Sequence, residues 1–535
     1  MKKHNLLKVL GITFFVVVVL TWIIPAGSYS SGEFVKSTTE PLGFFDLART
    51  PLIAIANLIQ YGILFAAIGG LYGVLEKTGV YLPMVDKIVK KWKGKERKLL
   101  VILTVIFTLI SAVTGLDLFL LVLTPFIASI VLGLGCDKIS AMLVTIGSIL
   151  IGKIGSVYSA SVTVYASQYF GTEMNDEILM RSIICLVVTV LYALFVVGRN
   201  KKKVKVVNEV NEEVVVKKTA PKKEEAKTTA TTKKASTTTK KTTTAKKTNT
   251  TKKASTAKKT TTAKKTSTKK TTKACAKAAD TIVVKNKSKK ILPLVLISLL
   301  ILVVIGVAMY NWQIAFNTTF FTELYSSVKE MKVANYPLVF NIIGSITPFG
   351  NWGSYDLIIF LTLVTFVIGW LYAVKLDDMI DGYVDGIKKF LPAASLAVLA
   401  NIIYAAMYSS STGSNILFTI SDWILGLTKG FNVATMALLS GVGSFFINDY
   451  QALVGTFGSI ISATYEDANV YQYISIIFQS VYGLVMMIAP TSVLLIAGLG
   501  LFDISFCEWF KNIWKFLLKL FVVIVIIFII IAMFI

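Results

Sequence analysis

From Leu99 to Leu134 the chain is almost continuously apolar, yet one polar stretch, Ser111-Ala112-Val113-Thr114-Gly115-Leu116-Asp117, interrupts it. A bilayer crossing takes about 20 apolar residues, and neither flank, Leu99–Ile110 or Leu118–Leu134, is that long. Two short apolar helices joined by a polar turn predict a re-entrant hairpin with its tip at membrane depth. Irregular backbone survives there only if it is buried in protein or lines a watery cavity. The pattern returns downstream at Ser409-Ser410-Ser411-Thr412-Gly413-Ser414-Asn415, again between apolar flanks. Two polar tips of one design predict a transport site built from both.

Of the 535 residues, 55% are hydrophobic, in many runs of spanning length. Such a chain is an all-α polytopic membrane protein, which excludes a soluble domain. The net charge of +25 suggests nucleic acid until it is located: residues 201–290 hold 29 lysines against 6 acidic residues, which is 23 of the 25. The single histidine is His4 and the four cysteines are scattered, so no zinc site, disulfide framework or histidine catalysis is indicated. No enzyme is expected. Lys2-Lys3 before an apolar run resembles a secretion signal, but Leu6–Ala26 is long enough to span and reads as a retained first helix.

In order, the expected elements are a first span at Leu6–Ile24, a second at Leu52–Leu75, and a cationic amphipathic helix at Tyr81–Lys98 along the cytoplasmic interface. Then come the first hairpin, a span broken at Gly152-Lys153-Ile154-Gly155-Ser156, and a span at Ile178–Val197 closed by Arg199 to Lys203. Residues 204–284 are Lys/Thr/Ala/Ser low complexity and are expected to be a disordered cytoplasmic linker. Beyond it lie Ile291–Met309, an ambiguous region at 313–350, a span at Leu357–Val374, an amphipathic piece at 376–390 and the second hairpin at 391–427. A span broken at Ile447-Asn448-Asp449-Tyr450 and long apolar stretches at 474–501 and 516–535 complete the chain. Three divisions follow: membrane repeat 1 at 1–200, linker at 201–290, and membrane repeat 2 at 291–535.

The halves superpose in sequence. Gly69 to Val74 falls on Gly369 to Val374, Thr114-Gly115 on Thr412-Gly413, and Leu132-Gly133-Leu134 on Leu425-Gly426-Leu427. Interrupted segments at matching positions point to a transporter site. The first amphipathic helix is basic and its partner carries four Asp, so opposite sides of the membrane, and hence inverted repeats, are expected. That parity requires one more crossing between 313 and 352.

Ionisable groups at membrane depth are rare and functional by default. Asp117, Lys153 and Asp449 stand out, and the repeat alignment puts Lys153 near Asp449, so the two are expected to face one another. Lys153 either binds a substrate carboxylate or closes a buried ion pair. Candidate site residues are Ser111, Thr114, Gly115, Asp117, Lys153 and Ser156 in the first half. In the second they are Ser411, Thr412, Gly413, Ser414, Asn415, Asn448 and Asp449. A coupling Na+ would sit near Thr114, Asp117, Thr412 and Asn415, and H+ is the other candidate.

Thr21-Trp22-Ile23-Ile24-Pro25-Ala26-Gly27, the Gly69-Gly70 span with Lys77-Thr78-Gly79, and Leu134-Gly135-Cys136-Asp137 resemble the ion transporter superfamily. Within it, the similarity is to the anaerobic C4-dicarboxylate carrier-like family of bacterial permeases. It covers most of 1–200 and, more loosely, 290–535. Where that family's first tip carries a Gly-Met-x-Glu-Glu type sequence, Thr114-Gly115-Leu116-Asp117 keeps one acid; Ser410 to Asn415 matches its second tip in part. The resemblance implies an elevator-type architecture and ion-coupled symport or exchange of dicarboxylates or amino acids, in a bacterial inner membrane with the N-terminus and linker cytoplasmic. The partners expected are a small organic anion or amino acid and the lipid bilayer, with a homodimer left open. The competing reading is a membrane-anchored scaffold whose basic segment binds nucleic acid or anionic lipid.

Overall fold

The structure is a computed structural model that describes residues 2–30, 33–38, 41–218, 290–332, 336–407, 414–465 and 468–533. Almost every regular element in it is an α-helix. Among the described residues eight helices are long and apolar enough to cross a membrane. They include Lys2–Ile23 at the start and Phe506–Ala532 at the end, so the protein is a multi-pass membrane protein. One contiguous apolar cluster runs through these helices. A short β-hairpin, Gly27–Ser30 paired with Glu33–Lys36, follows the first helix.

The tightest helix pair is built on glycine. Phe44–Lys77 packs along Leu376–Leu399 with Gly69 and Gly73 facing Gly382 and Gly386. A Cβ at Gly69 would stand 2.6 Å from the Gly386 carbonyl oxygen, so nothing larger than hydrogen fits at this crossing. Small residues four apart let backbones approach in lipid, where packing drives helix association. An ion pair of 2.6 Å between Lys389 and Glu76 adds to the contact.

The breaks fall close to where the sequence puts them. Lys138–Met142 continues through a π-helical turn, Leu143–Gly147, into Ser148–Ile154; the chain then leaves helix until Thr163–Phe170. The looser turn is held by Tyr192, whose hydroxyl donates to the Leu143 carbonyl at 2.7 Å. In the second half, Val433–Phe446 and Tyr450–Thr464 flank a break at 447–449.

Four expectations change. Glu96–Thr114, at 19 residues, is long and apolar enough to cross by itself, whereas Asp117–Gly133 is one of the shorter apolar helices. The amphipathic piece at 376–390 is no separate interfacial helix: it is the first part of Leu376–Leu399, because glycines on its polar half seat it against Phe44–Lys77. Region 313–352 holds Trp312–Phe316, Phe320–Glu330 and Leu338–Ile343, each too short to span, so the extra crossing is not found among the described residues. The apolar stretch 474–501 is itself broken, into Tyr471–Met486 and Val493–Phe502. Pro490, which has no amide hydrogen to donate, stands in that gap.

Ile178–Lys218 is one helix, so residues 204–218, expected to be disordered, are helical. The expected disorder of 204–284 falls, beyond residue 218, outside the described residues.

Candidate functional site

The first polar turn is sharp because of its sequence. Glu96–Thr114 ends at Gly115, whose φ of 68° is left-handed and suits glycine, and its amide donates to the Ser111 carbonyl at 2.9 Å. Leu116, at φ −77° and ψ 57°, makes an inverse γ-turn that brings the Asp117 amide to the Gly115 carbonyl at 2.8 Å. Asp117 therefore opens the next helix, where the dipole favours an anion.

This turn is packed against the break that follows the first broken helix. The amides of Val157 and Ala160 donate to the carbonyls of Ala112 and Thr114 at 2.8 and 3.1 Å. A Cβ on Gly115 would stand 2.5 Å from Ser159 Oγ and 2.6 Å from the Ala160 nitrogen. Glycine is needed here twice, for conformation and for space.

Lys153 lies in the last turn of Ser148–Ile154, where the dipole favours a cation. Its ammonium reaches Asp117 Oδ2 at 2.5 Å, and the two side chains are only 8% and 9% exposed. Ser111 Oγ donates to Asp117 Oδ1 at 2.8 Å and Ser161 Oγ to Oδ2 at 3.1 Å. Ser161 also lies 3.5 Å from the lysine nitrogen and 3.1 Å from Ser159 Oγ. The ammonium stands 5.9 Å from the centre of the Tyr482 ring. An anion, a cation and three serines thus converge at a helix start and a helix break, beside the Tyr482 ring.

Of the predicted residues, Ser111, Gly115, Asp117 and Lys153 come together in this nook. Thr114 borders it, but its hydroxyl donates to the Ile110 carbonyl at 2.6 Å. The Ser156 hydroxyl turns back to the Lys153 carbonyl at 3.1 Å, which leaves its backbone oxygen to the Gln479 amide at the same distance. The expected Lys153–Asp449 pair does not form. Lys153 is taken by Asp117, while Asp449 is exposed and caps Tyr450–Thr464, accepting from the Ala452 amide at 2.9 Å. Asn448 connects to the nook through Tyr482, whose hydroxyl donates to the Asn448 carbonyl at 2.8 Å. Asn415 caps Ile416–Leu425 through Oδ1, and its backbone pairs with Gly27 of the β-hairpin segment. Ser414, which precedes it, is buried; Ser411, Thr412 and Gly413 lie outside the described residues.

Sequence reasoning missed Ser159, Ser161, Gln479 and Tyr482. Gln479 offered a signal, as a lone amide in an apolar run. It is fully buried, and its Oε1 has no partner among the described residues.

The sequence pattern of the C4-dicarboxylate anaerobic carrier family matches residues 4–245 and 250–534, nearly the whole chain and part of the basic tract as well. The chain belongs to that family. It is a carrier, then, and not an enzyme. Among curated proteins nothing matches it. Among solved structures it is similar to the YdaH transporter of Alcanivorax borkumensis, a protein described as having an unusual topology. The identity is 13% over 99% of this chain and 98% of the other, with a TM-score of 0.36, too low to add to the family match.

Proposed function

We propose that this carrier moves C4-dicarboxylates by ion-coupled secondary transport and that Lys153 takes one substrate carboxylate. The observation behind this reading is a buried ammonium among apolar helices whose counter-ion is a single side chain, with hydroxyls of Ser111 and Ser161 around the pair. A substrate carboxylate presents to Lys153 the same group that Asp117 presents, so it can replace Asp117 there without leaving the ammonium unpaired. The Asn415 Nδ2 amide, a donor buried without a partner among the described residues, is the polar group to which the rest of the substrate would turn. Ser414, Asn415, Asn448 and Asp449 belong to the far wall of the site in this reading.

Inverted repeats and elevator motion fit the same picture. Broken helices occur in both halves, at 155–162 and 447–449, the Gly115 turn is buried against Ser159 to Ser161, and the glycine-packed pair of Phe44–Lys77 and Leu376–Leu399 would serve as the fixed wall. Arg199, with the lysines after it, and the basic helix Tyr81–Trp92 support a cytoplasmic position for those ends in a bacterial cell, by the positive-inside tendency.

The test is uptake of labelled succinate into liposomes holding the full-length protein. Wild type and Lys153→Arg are expected to bind succinate, and Lys153→Met to lose both binding and uptake. Wild-type uptake by Lys153→Met would remove Lys153 from the site.

A further inference from the structure

Between Val433–Phe446, Tyr471–Met486 and Phe506–Ala532 lies a groove of about 1170 Å³, walled by Leu438, Phe445, Val485, Trp514, Phe521 and Phe528 among others. Apart from the Trp514 indole, its one polar side chain among the described residues is Asn432, whose oxygen caps a helix by accepting from the Ala434 and Thr435 amides. Charge gives this groove a direction. Lys511, Lys515 and Lys519 stand four residues apart on Phe506–Ala532 and so form one stripe. Each directly follows a groove residue, Phe510, Trp514 and Leu518 in turn. All three lysines are exposed, and no ion pair engages any of them among the described residues. The Lys515 ammonium lies over the Trp514 ring, 5.7 Å from its centre. From Leu520 to Ile535 no residue is charged. Ile529, at the groove's far end along this helix, is ten residues beyond Lys519, or about 15 Å of helix. That is the depth of one leaflet, half of a hydrocarbon core of about 30 Å.

We infer that the groove and the lysine stripe together form a binding site for an anionic phospholipid. Its acyl chains lie along Phe521 to Ile529 and its phosphate meets Lys511, Lys515 and Lys519. Cations beside an apolar groove between spanning helices select acidic head groups over neutral ones, because only an acidic head group supplies the missing counter-charge. Asn512, on the same stretch of helix, accepts from Arg199 Nε at 3.3 Å. The stripe thus lies at the membrane face that carries Arg199, which supports a place in the cytoplasmic leaflet, where anionic lipid attracts basic segments. A second copy of the chain fits this face less well. A twofold axis along the membrane normal sets equivalent residues at equal depth. Pairing two such faces would bring two lysine stripes to one level with no carboxylate between them.

Native mass spectrometry on the purified full-length protein tests this, with dioleoyl-phosphatidylglycerol and dioleoyl-phosphatidylcholine offered in detergent at equal concentration. Wild type is expected to retain phosphatidylglycerol in preference. Replacing Lys511, Lys515 and Lys519 by Gln should remove that preference, by about fivefold for each lysine, at an unchanged unfolding temperature without lipid. Gly441 lines the groove, and a Cβ there would meet only Val481, at 3.6 Å. Gly441→Leu therefore fills the groove and should lower retention of both lipids. A variant with Lys90→Gln and Lys91→Gln, on the basic helix Tyr81–Trp92, should keep the wild-type preference. Equal retention of the two lipids by wild type overturns the assignment. So does a preference that survives loss of the three lysines, or one that falls equally in the Lys90 and Lys91 variant. A wild-type dimer that Gly441→Leu turns into a monomer, with neither retaining lipid, would give the groove to a second copy instead. None of these readouts involves the transported substrate, so the lipid site can fail while the carrier reading stands, and the reverse.

Discussion

The turn at 115–117 and the segment at 414–415 share a sequence pattern but are built differently. The first is tied to the break beside it by two backbone hydrogen bonds and holds a buried ion pair. At the second, Asn415 spends its side-chain oxygen on a helix cap and its backbone on Gly27, with Thr419 Oγ1 donating to the Pro25 carbonyl at 2.7 Å. The acids of the two breaks differ likewise: Asp117 is buried and paired, Asp449 exposed and capping. A repeated sequence pattern therefore does not give its two copies the same chemistry. One half carries the charge, and the other closes a helix against the β-hairpin that precedes the second span.

The largest expected effect lies in the charges. Asp117→Ala or Lys153→Ala alone strands a buried ion and should cost about 3–5 kcal/mol, whereas replacing both by apolar residues of similar volume should restore stability. Asp449→Ala should cost only about 1 kcal/mol, the loss of a cap. Thermal unfolding of the four detergent-solubilised variants measures this. Equal losses for Asp117→Ala and Asp449→Ala would erase the contrast between the halves. The Asp117/Lys153 double variant has a second use. A pair that only closes the core would leave transport intact once both charges are gone, whereas the carrier reading expects a stable protein that moves no succinate.

Hydroxyls should follow the same division at smaller scale. Ser161 donates to a carboxylate, so Ser161→Ala should cost about 1.5–3 kcal/mol. Thr491 Oγ1, buried at the break in the apolar stretch 474–501, donates to the neutral Phe445 carbonyl at 3.0 Å. Thr491→Val keeps the shape there and should cost about 0.5–1.5 kcal/mol. The reverse ranking in unfolding experiments would mean that the Asp117–Lys153 pair does not organise its hydroxyls.

How much of this was legible follows from what each residue type announces alone. Asp117 and Lys153 declared themselves because a charge in an apolar run has few explanations. Their mutual pairing did not, since alignment of the halves pointed Lys153 at Asp449 and only the packing of 155–161 under the turn redirects it. Breaks at 155–162 and 447–449 could be read from Gly-Lys-x-Gly-Ser and Asn-Asp, residues that favour turns and caps. The break at 487–492 was hidden in an apolar sequence with Pro490 as its one mark. Leu376–Leu399 was misread because its first half is amphipathic, a surface signal that two glycines override by seating the helix on Gly69 and Gly73. Serine gives no sign of what it will touch, and Ser161 was passed over for Ser156, its neighbour in sequence.

Asn415 offers the finest test, because its two side-chain atoms do separable work. Oδ1 accepts from the amides of Leu417 at 2.9 Å and Phe418 at 3.2 Å, while Nδ2 is buried without a partner among the described residues. Asn415→Ala removes both and should cost about 1 kcal/mol through the lost cap. Asn415→Ser keeps a capping oxygen and discards the amide, so its unfolding temperature should return close to wild type. If the amide faces substrate, the Ser variant binds succinate more weakly at unchanged stability, and the second half contributes recognition as well as closure. If binding and stability recover together, the amide has no part in recognition, and the contrast with the charged turn is sharper than proposed.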